Sequence, residues 1–142
     1  MVVAPRPYHA KSEYLTVELQ MTIAYWCVLA AAVLPLLWAG ASKSRSAYDN
    51  RAPRAYLADL EGWRQRANWA QQNAWEAFAP FAAAVIIAHV RGVPQATIDG
   101  IALAFIAARV LHGLLYMADR ATLRSLAWLA GFGCVVALFL VG

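Results

Sequence analysis

Residues 66–90 read RANWAQQNAWEAFAPFAAAVIIAHV, and their division into a polar and an apolar half governs how the rest of the chain is understood. The first half carries Arg66, Asn68, Gln71, Gln72, Asn73 and Glu76, whereas residues 77–90 are apolar except for His89. At about 3.6 residues per turn, spacings of seven and three return to nearly the same angle, so Arg66, Asn73 and Glu76 share one helix face. A cation, an amide and a carboxylate in a column are out of place on a plain membrane anchor, and ionisable groups at such depth mark a functional site by default. The competing reading is that the column caps and orients the helix at the membrane interface.

Composition sets the class around this stretch. Of 142 residues, 62% are hydrophobic and 14% charged, with a mean hydropathy of +0.50, the profile of an integral membrane chain. A hydrocarbon core of about 30 Å needs roughly 20 helical residues per crossing, which leaves room for four crossings and their connections. The expected fold is therefore an all-α, integral membrane four-helix bundle forming one domain over residues 15–142. Its helices are expected at about 16–41, 66–91, 95–117 and 123–141. Residues 1–14, with two prolines and mixed charge, read as a disordered tail rather than a signal peptide. The net charge of +4 and pI near 9.4 do not point to nucleic acid, because eight of the twelve Lys and Arg residues lie in two short segments between apolar runs. Cys27 and Cys134 sit inside apolar runs and read as small hydrophobes. His9, His89 and His112 are not in ligand spacing, so no metal site is expected.

Thr16 is a plausible cap for the first crossing, with Glu18 in the first turn where the helix dipole favours an anion, and Pro35 is expected to kink its far end. Residues 42–65 form the extended polar loop, with room for a short surface helix over 54–60. The second crossing contains Pro80 and stops at RGVP, residues 91–94. The third carries Asp99, Arg109, His112 and Tyr116, and ADRAT at 118–122 turns the chain into the fourth. Eight basic residues fall on the side of the polar loop and three (Arg6, Lys11 and Arg91) on the other. The positive-inside rule then makes the loop cytoplasmic, both termini periplasmic, and the polar column open toward the cytoplasm.

Arg109, His112 and Tyr116 are spaced by three and four and share a face of the third helix. An intramembrane arginine needs a partner, and Glu76 at similar depth on the preceding helix is the available one. A buried Arg109–Glu76 pair that merely locks two helices together is the simpler alternative, and His112 then serves as a core histidine. Arg124 lies in the first turn of the last helix if Thr122 is the cap, where the dipole disfavours a cation. An anionic ligand met by the guanidinium, the helix amides and Ser125 explains that placement; an interface anchor is the alternative.

RANWAQQNAWEAFAPF at 66–81, AARVLHGLLY at 107–116 and LRSLAW at 123–128 together resemble the superfamily of membrane-associated proteins in eicosanoid and glutathione metabolism (MAPEG), including its bacterial members. The resemblance runs from about Thr16 to the end. It rests most on Asn-x-x-Glu followed by an aromatic and Pro-x-Phe, on arginine with tyrosine seven residues later, and on arginine opening the fourth helix. It implies a homotrimer in the bacterial inner membrane, with glutathione as co-substrate held between protomers near the cytoplasmic face. By the same resemblance Asn73, Glu76, Arg109 and Tyr116 match glutathione-site positions, His112 stands where another tyrosine is found, and Arg124 matches the arginine credited with stabilising the thiolate, with Ser125 beside it. Trp69 stands where catalytic members often have an arginine for a glutathione carboxylate, which leaves Arg66 to take that role.

The residue chemistry fits the same ligand. Glutathione has two carboxylates, an ammonium and a thiol, complementary to Arg66, Arg109, Arg124, Glu76 and Asn73. A fixed guanidinium at a helix N-terminus lowers a thiol pKa from about 8.5 and raises the thiolate fraction. The second substrate would be a hydrophobic small-molecule electrophile dissolved in the lipid bilayer. Three functions follow: a glutathione-dependent transferase or peroxidase, a non-catalytic lipid- or partner-binding membrane protein, and a small transporter using an intramembrane glutamate.

Overall fold

The computed structural model describes residues 21–44 and 48–141. The expectations for the tail, Thr16 and Glu18 lie outside them. Five helices follow in order: α1 (Ile23–Ser42), α2 (Pro53–Ala58), α3 (Gly62–Val90), α4 (Gln95–Met117) and α5 (Ala121–Leu140), with no strand among the described residues. α1, α3, α4 and α5 are each long and apolar enough to cross a membrane, and α2 is the short surface helix of the polar loop. The fold is an all-α membrane four-helix bundle.

The start of α1, as described, is held by two caps. Thr22 Oγ1 accepts the Tyr25 amide at 3.2 Å, and Asp99 on α4 accepts the Ala24 amide at 2.8 Å, so both satisfy donors that the helix itself cannot. His89 completes this end, stacked on Tyr25 with ring centroids 4.3 Å apart and 3.3 Å from the Thr22 hydroxyl. The polar exceptions in otherwise apolar helices, Asp99 and His89, thus close the end of the bundle away from the polar loop.

α3 and α4 stop in the same way. Gly92, with φ +71°, follows α3; its amide donates to His89 O and that of Val93 to Ala88 O. At the end of α4 Asp119 takes the left-handed conformation at φ +59°, with Asp119 N on Tyr116 O and Arg120 N on Leu115 O. Both are Schellman endings, which turn the chain within a few residues and satisfy the last carbonyls.

Small residues bring the helices together. Ala24, Ala67, Ala84, Ala88 and Ala102 are fully buried, and Phe81 of α3 stacks on Phe105 of α4 with centroids 3.8 Å apart. Between helices in a membrane, where no hydrophobic drive exists, such close packing is the main source of association. Gly113 is required for a steric reason, since a Cβ there would run into the indole of Trp38 on α1. The outer faces carry Trp26, Leu36, Leu37, Leu126 and Leu129, each more than half exposed, as expected where the surrounding medium is lipid or another membrane chain.

Candidate functional site

At the polar-loop end, α3, α4 and α5 converge on Asn73. Arg109 is 3% exposed and its Nη2 donates to the Asn73 carbonyl at 3.1 Å and to Asn73 Oδ1 at 2.7 Å. The Asn73 amide in turn donates to Glu76 Oε2 at 3.0 Å. The direct Arg109–Glu76 pair expected from their matching depths is therefore not formed: Asn73 stands between them, and Glu76 itself is exposed on the protomer. Arg109 Nε is buried without a partner, so the guanidinium keeps donor capacity beyond its two bonds.

The column of Arg66, Asn73 and Glu76 is also corrected. Arg66 turns to the C-terminal end of α4, where its Nε donates to Met117 O at 3.2 Å and Nη1 lies 3.7 Å from Asp119 Oδ2. The end of a helix exposes unpaired carbonyls and a negative dipole end, and both attract the long, flexible guanidinium more than an already paired amide does. Arg66 lines none of the cavities around Asn73.

Tyr116 forms the other side of the site. The Arg124 guanidinium lies over its ring at 4.4 Å, His112 meets it edge-on at 5.5 Å, and Trp69 is tilted against it at 6.2 Å. A guanidinium over a tyrosine face is held by the ring quadrupole while its N–H edge stays free for an anion. The start of α5 differs from expectation: Arg120, not Thr122, is the N-cap, and the Arg124 amide already donates to Arg120 O at 2.9 Å. The amides free of the helix ladder belong to Ala121, Thr122 and Leu123. Ser125 Oγ donates to Ala121 O at 3.1 Å, so its hydroxyl proton is committed to the backbone.

Three adjoining cavities meet at Asn73. One of about 360 Å³ is bounded by Trp69, Gln72, Glu76 and Tyr116, and one of about 230 Å³ by His112, Tyr116, Arg124, Ser125 and Trp128. The third, about 180 Å³, is apolar beyond Glu76 and Arg109, walled by Pro80, Phe105, Phe132 and Val135. Pro80 has no N–H, so the Glu76 carbonyl one turn before it loses its usual helical donor at the edge of this groove. Trp128 lines the groove and the cationic cavity, and its ring stacks on Phe132 at 5.4 Å. The sequence reading did not select Trp128 or Gln72. Each lies four residues from a selected residue, Arg124 and Glu76, and therefore on the same helix face, which is the signal that finds them. No cluster of His, Cys, Asp and Glu among the described residues is arranged to hold a metal.

The arrangement is two guanidinium groups, a carboxylate and several amide and aromatic donors beside an apolar groove that starts at the same asparagine. It can bind a small zwitterionic or anionic molecule next to an apolar one. A family model described as the MAPEG family matches residues 23–142. No curated protein and no solved structure matches the chain.

Proposed function

The chain belongs to the MAPEG family, and from that premise we propose that it is a membrane-bound glutathione-dependent transferase or peroxidase. Membership supports a glutathione-linked membrane function at the level of the family; the activity and the residue roles are our reading. The observation that carries it is the junction at Asn73 of two polar cavities, with His112, Tyr116 and Arg124 in their walls, and an apolar groove that Arg109 borders while bonded to Asn73.

In this reading Asn73 and Glu76 hold the amino and amide groups of glutathione, Arg109 fixes Asn73, and Tyr116 and His112 bound the tripeptide. Arg124 faces the sulfur. The thiol loses its proton to water reaching the polar cavities, and the guanidinium stabilises the resulting thiolate. The sulfur then forms a bond to an electrophilic carbon of a molecule in the groove, and the leaving group departs with the electron pair. With a hydroperoxide the sulfur takes the outer oxygen, the O–O bond breaks and an alcohol leaves after gaining a proton; a second glutathione returns the sulfenic product to disulfide and water. Arg66, held on Asp119, positions the α4–α5 turn rather than a glutathione carboxylate.

Titration calorimetry of glutathione into the purified protein in detergent, paired with conjugation of chlorodinitrobenzene, tests the proposal. Saturable binding with conjugation is expected. Absence of both would leave a non-catalytic lipid- or partner-binding member of the family.

A further inference from the structure

A separate cavity of about 430 Å³ lies between α2 and the first turns of α3. Its wall carries the Arg54 guanidinium and the carboxamides of Gln65, Asn68, Gln71 and Gln72, with the Trp69 indole at one side. Leu57 and Ala58 of α2 supply the apolar part, and no carboxylate lines it. One of the amides is stranded, and Asn68 beside it is only 7% exposed. Gln71 Oε1 is buried with no partner. A carboxamide brings two donors and an acceptor, and withdrawing one from water unpaired is unfavourable, so the buried Gln71 oxygen with three further carboxamides around one space suits a polar ligand rather than packing.

Depth identifies the ligand class. Trp63 and Trp69 are 42% and 41% exposed, and Arg64 lies 4.6 Å over the Trp63 ring. Exposed indoles with interleaved arginines mark the headgroup level, and the apolar half of α3 begins at Ala77, little more than one turn beyond Gln72. We propose that this cavity is a headgroup site for a glycerophospholipid whose phosphate diester is accompanied by an N–H or O–H donor, as in ethanolamine and glycerol headgroups. Arg54 and the amide N–H groups hold the phosphate oxygens, and the amide oxygens of Asn68 and Gln71 accept from the headgroup donor. A choline headgroup offers the phosphate without that donor. A bare cation finds no counter-charge. Trp69 and Gln72 stand in the walls of both this cavity and the one at Asn73, so a bound headgroup steadies α2 and α3 beside the polar site.

Native mass spectrometry of the delipidated protein, titrated with phosphatidylethanolamine, phosphatidylglycerol and phosphatidylcholine and with soluble phosphoethanolamine, tests this. The ethanolamine or glycerol lipid should bind about tenfold tighter than the choline lipid, the equivalent of one or two hydrogen bonds. Asn68→Leu and Gln71→Leu should erase that preference, and Arg54→Gln should weaken all three lipids. Soluble phosphoethanolamine binding as tightly as the lipid would assign the site to a free phosphate ester and overturn the membrane source. Equal uptake of ethanolamine and choline lipids by the wild type overturns the proposal even if the variants fail to fold. Unchanged lipid selectivity in folded variants overturns it as well.

Discussion

Arg109 lies in an apolar helix and reaches the Glu76 carboxylate through Asn73. The stability of the cluster should follow that geometry. Asn73→Leu removes the side-chain acceptor of a buried guanidinium, leaving it only the carbonyl of residue 73, and should destabilise the protein by about 1–3 kcal/mol, the cost of leaving buried polar capacity unpaired. Glu76→Gln keeps an acceptor for the Asn73 amide at an exposed position and should change stability by less than about 1 kcal/mol. Thermal unfolding in detergent measures both. A loss at Glu76→Gln as large as at Asn73→Leu would mean that the two charges interact directly. The sequence made Asn73, Glu76, Arg109 and Tyr116 legible because residues on helices of known depth must meet their neighbours at the same depth. It left the partner of Arg66 illegible, since a helical wheel fixes where a Cα sits but not which way a long guanidinium chain reaches.

The helices were readable from hydropathy and turn residues, and their ends less so. α3, α4 and α5 agree with expectation within a few residues, because Gly92 and the residues 118–120 punctuate the apolar runs. The start of α1 and the cap of α5 were not readable: one is capped across the bundle by Asp99, a contact 75 residues apart, and the other has Arg120 where Thr122 was the better local candidate. Close packing between elements gives a sharper test. Gly113→Ala places a methyl group into the Trp38 indole and should cost about 1–3 kcal/mol as an overpacking change, whereas Gly133→Ala meets nothing within 4 Å and should be neutral or slightly stabilising. Equal melting temperatures for the two variants would show that α1 and α4 do not meet at this point.

For the whole molecule, the four crossings place residues 42–65 and the α4–α5 turn on one side. We propose that this side is cytoplasmic, from the excess of Lys and Arg there. A reporter fused after Gly142 should be periplasmic in a bacterial host and one inserted in the polar loop cytoplasmic; the reverse would turn the site to the outside. We further propose a homotrimer. Glu76, exposed on a single protomer beside an apolar groove, is better covered by a neighbouring chain than by lipid. Native mass spectrometry in mild detergent should find three chains, and a monomer would remove any shared site. The assignment of Arg124 is tested most directly by the ultraviolet absorbance of glutathione thiolate, followed across pH on the wild-type protein and on Arg124→Ala. A free thiol titrates near 8.5, and lowering it to about 6.5 requires roughly 2.7 kcal/mol of stabilisation of the anion. Thiolate absorbance rises as pH passes upward through the bound thiol's pKa, so the wild-type midpoint should lie about two units below that of free glutathione. Arg124→Ala should bind glutathione somewhat more weakly and move the midpoint, and the pH at which conjugation appears, back up toward the free value. Ser125→Ala should shift neither, since that hydroxyl donates to Ala121 O. A wild-type protein that binds glutathione with the same thiolate titration as Arg124→Ala would contradict the assignment and leave Arg124 an interface anchor over Tyr116.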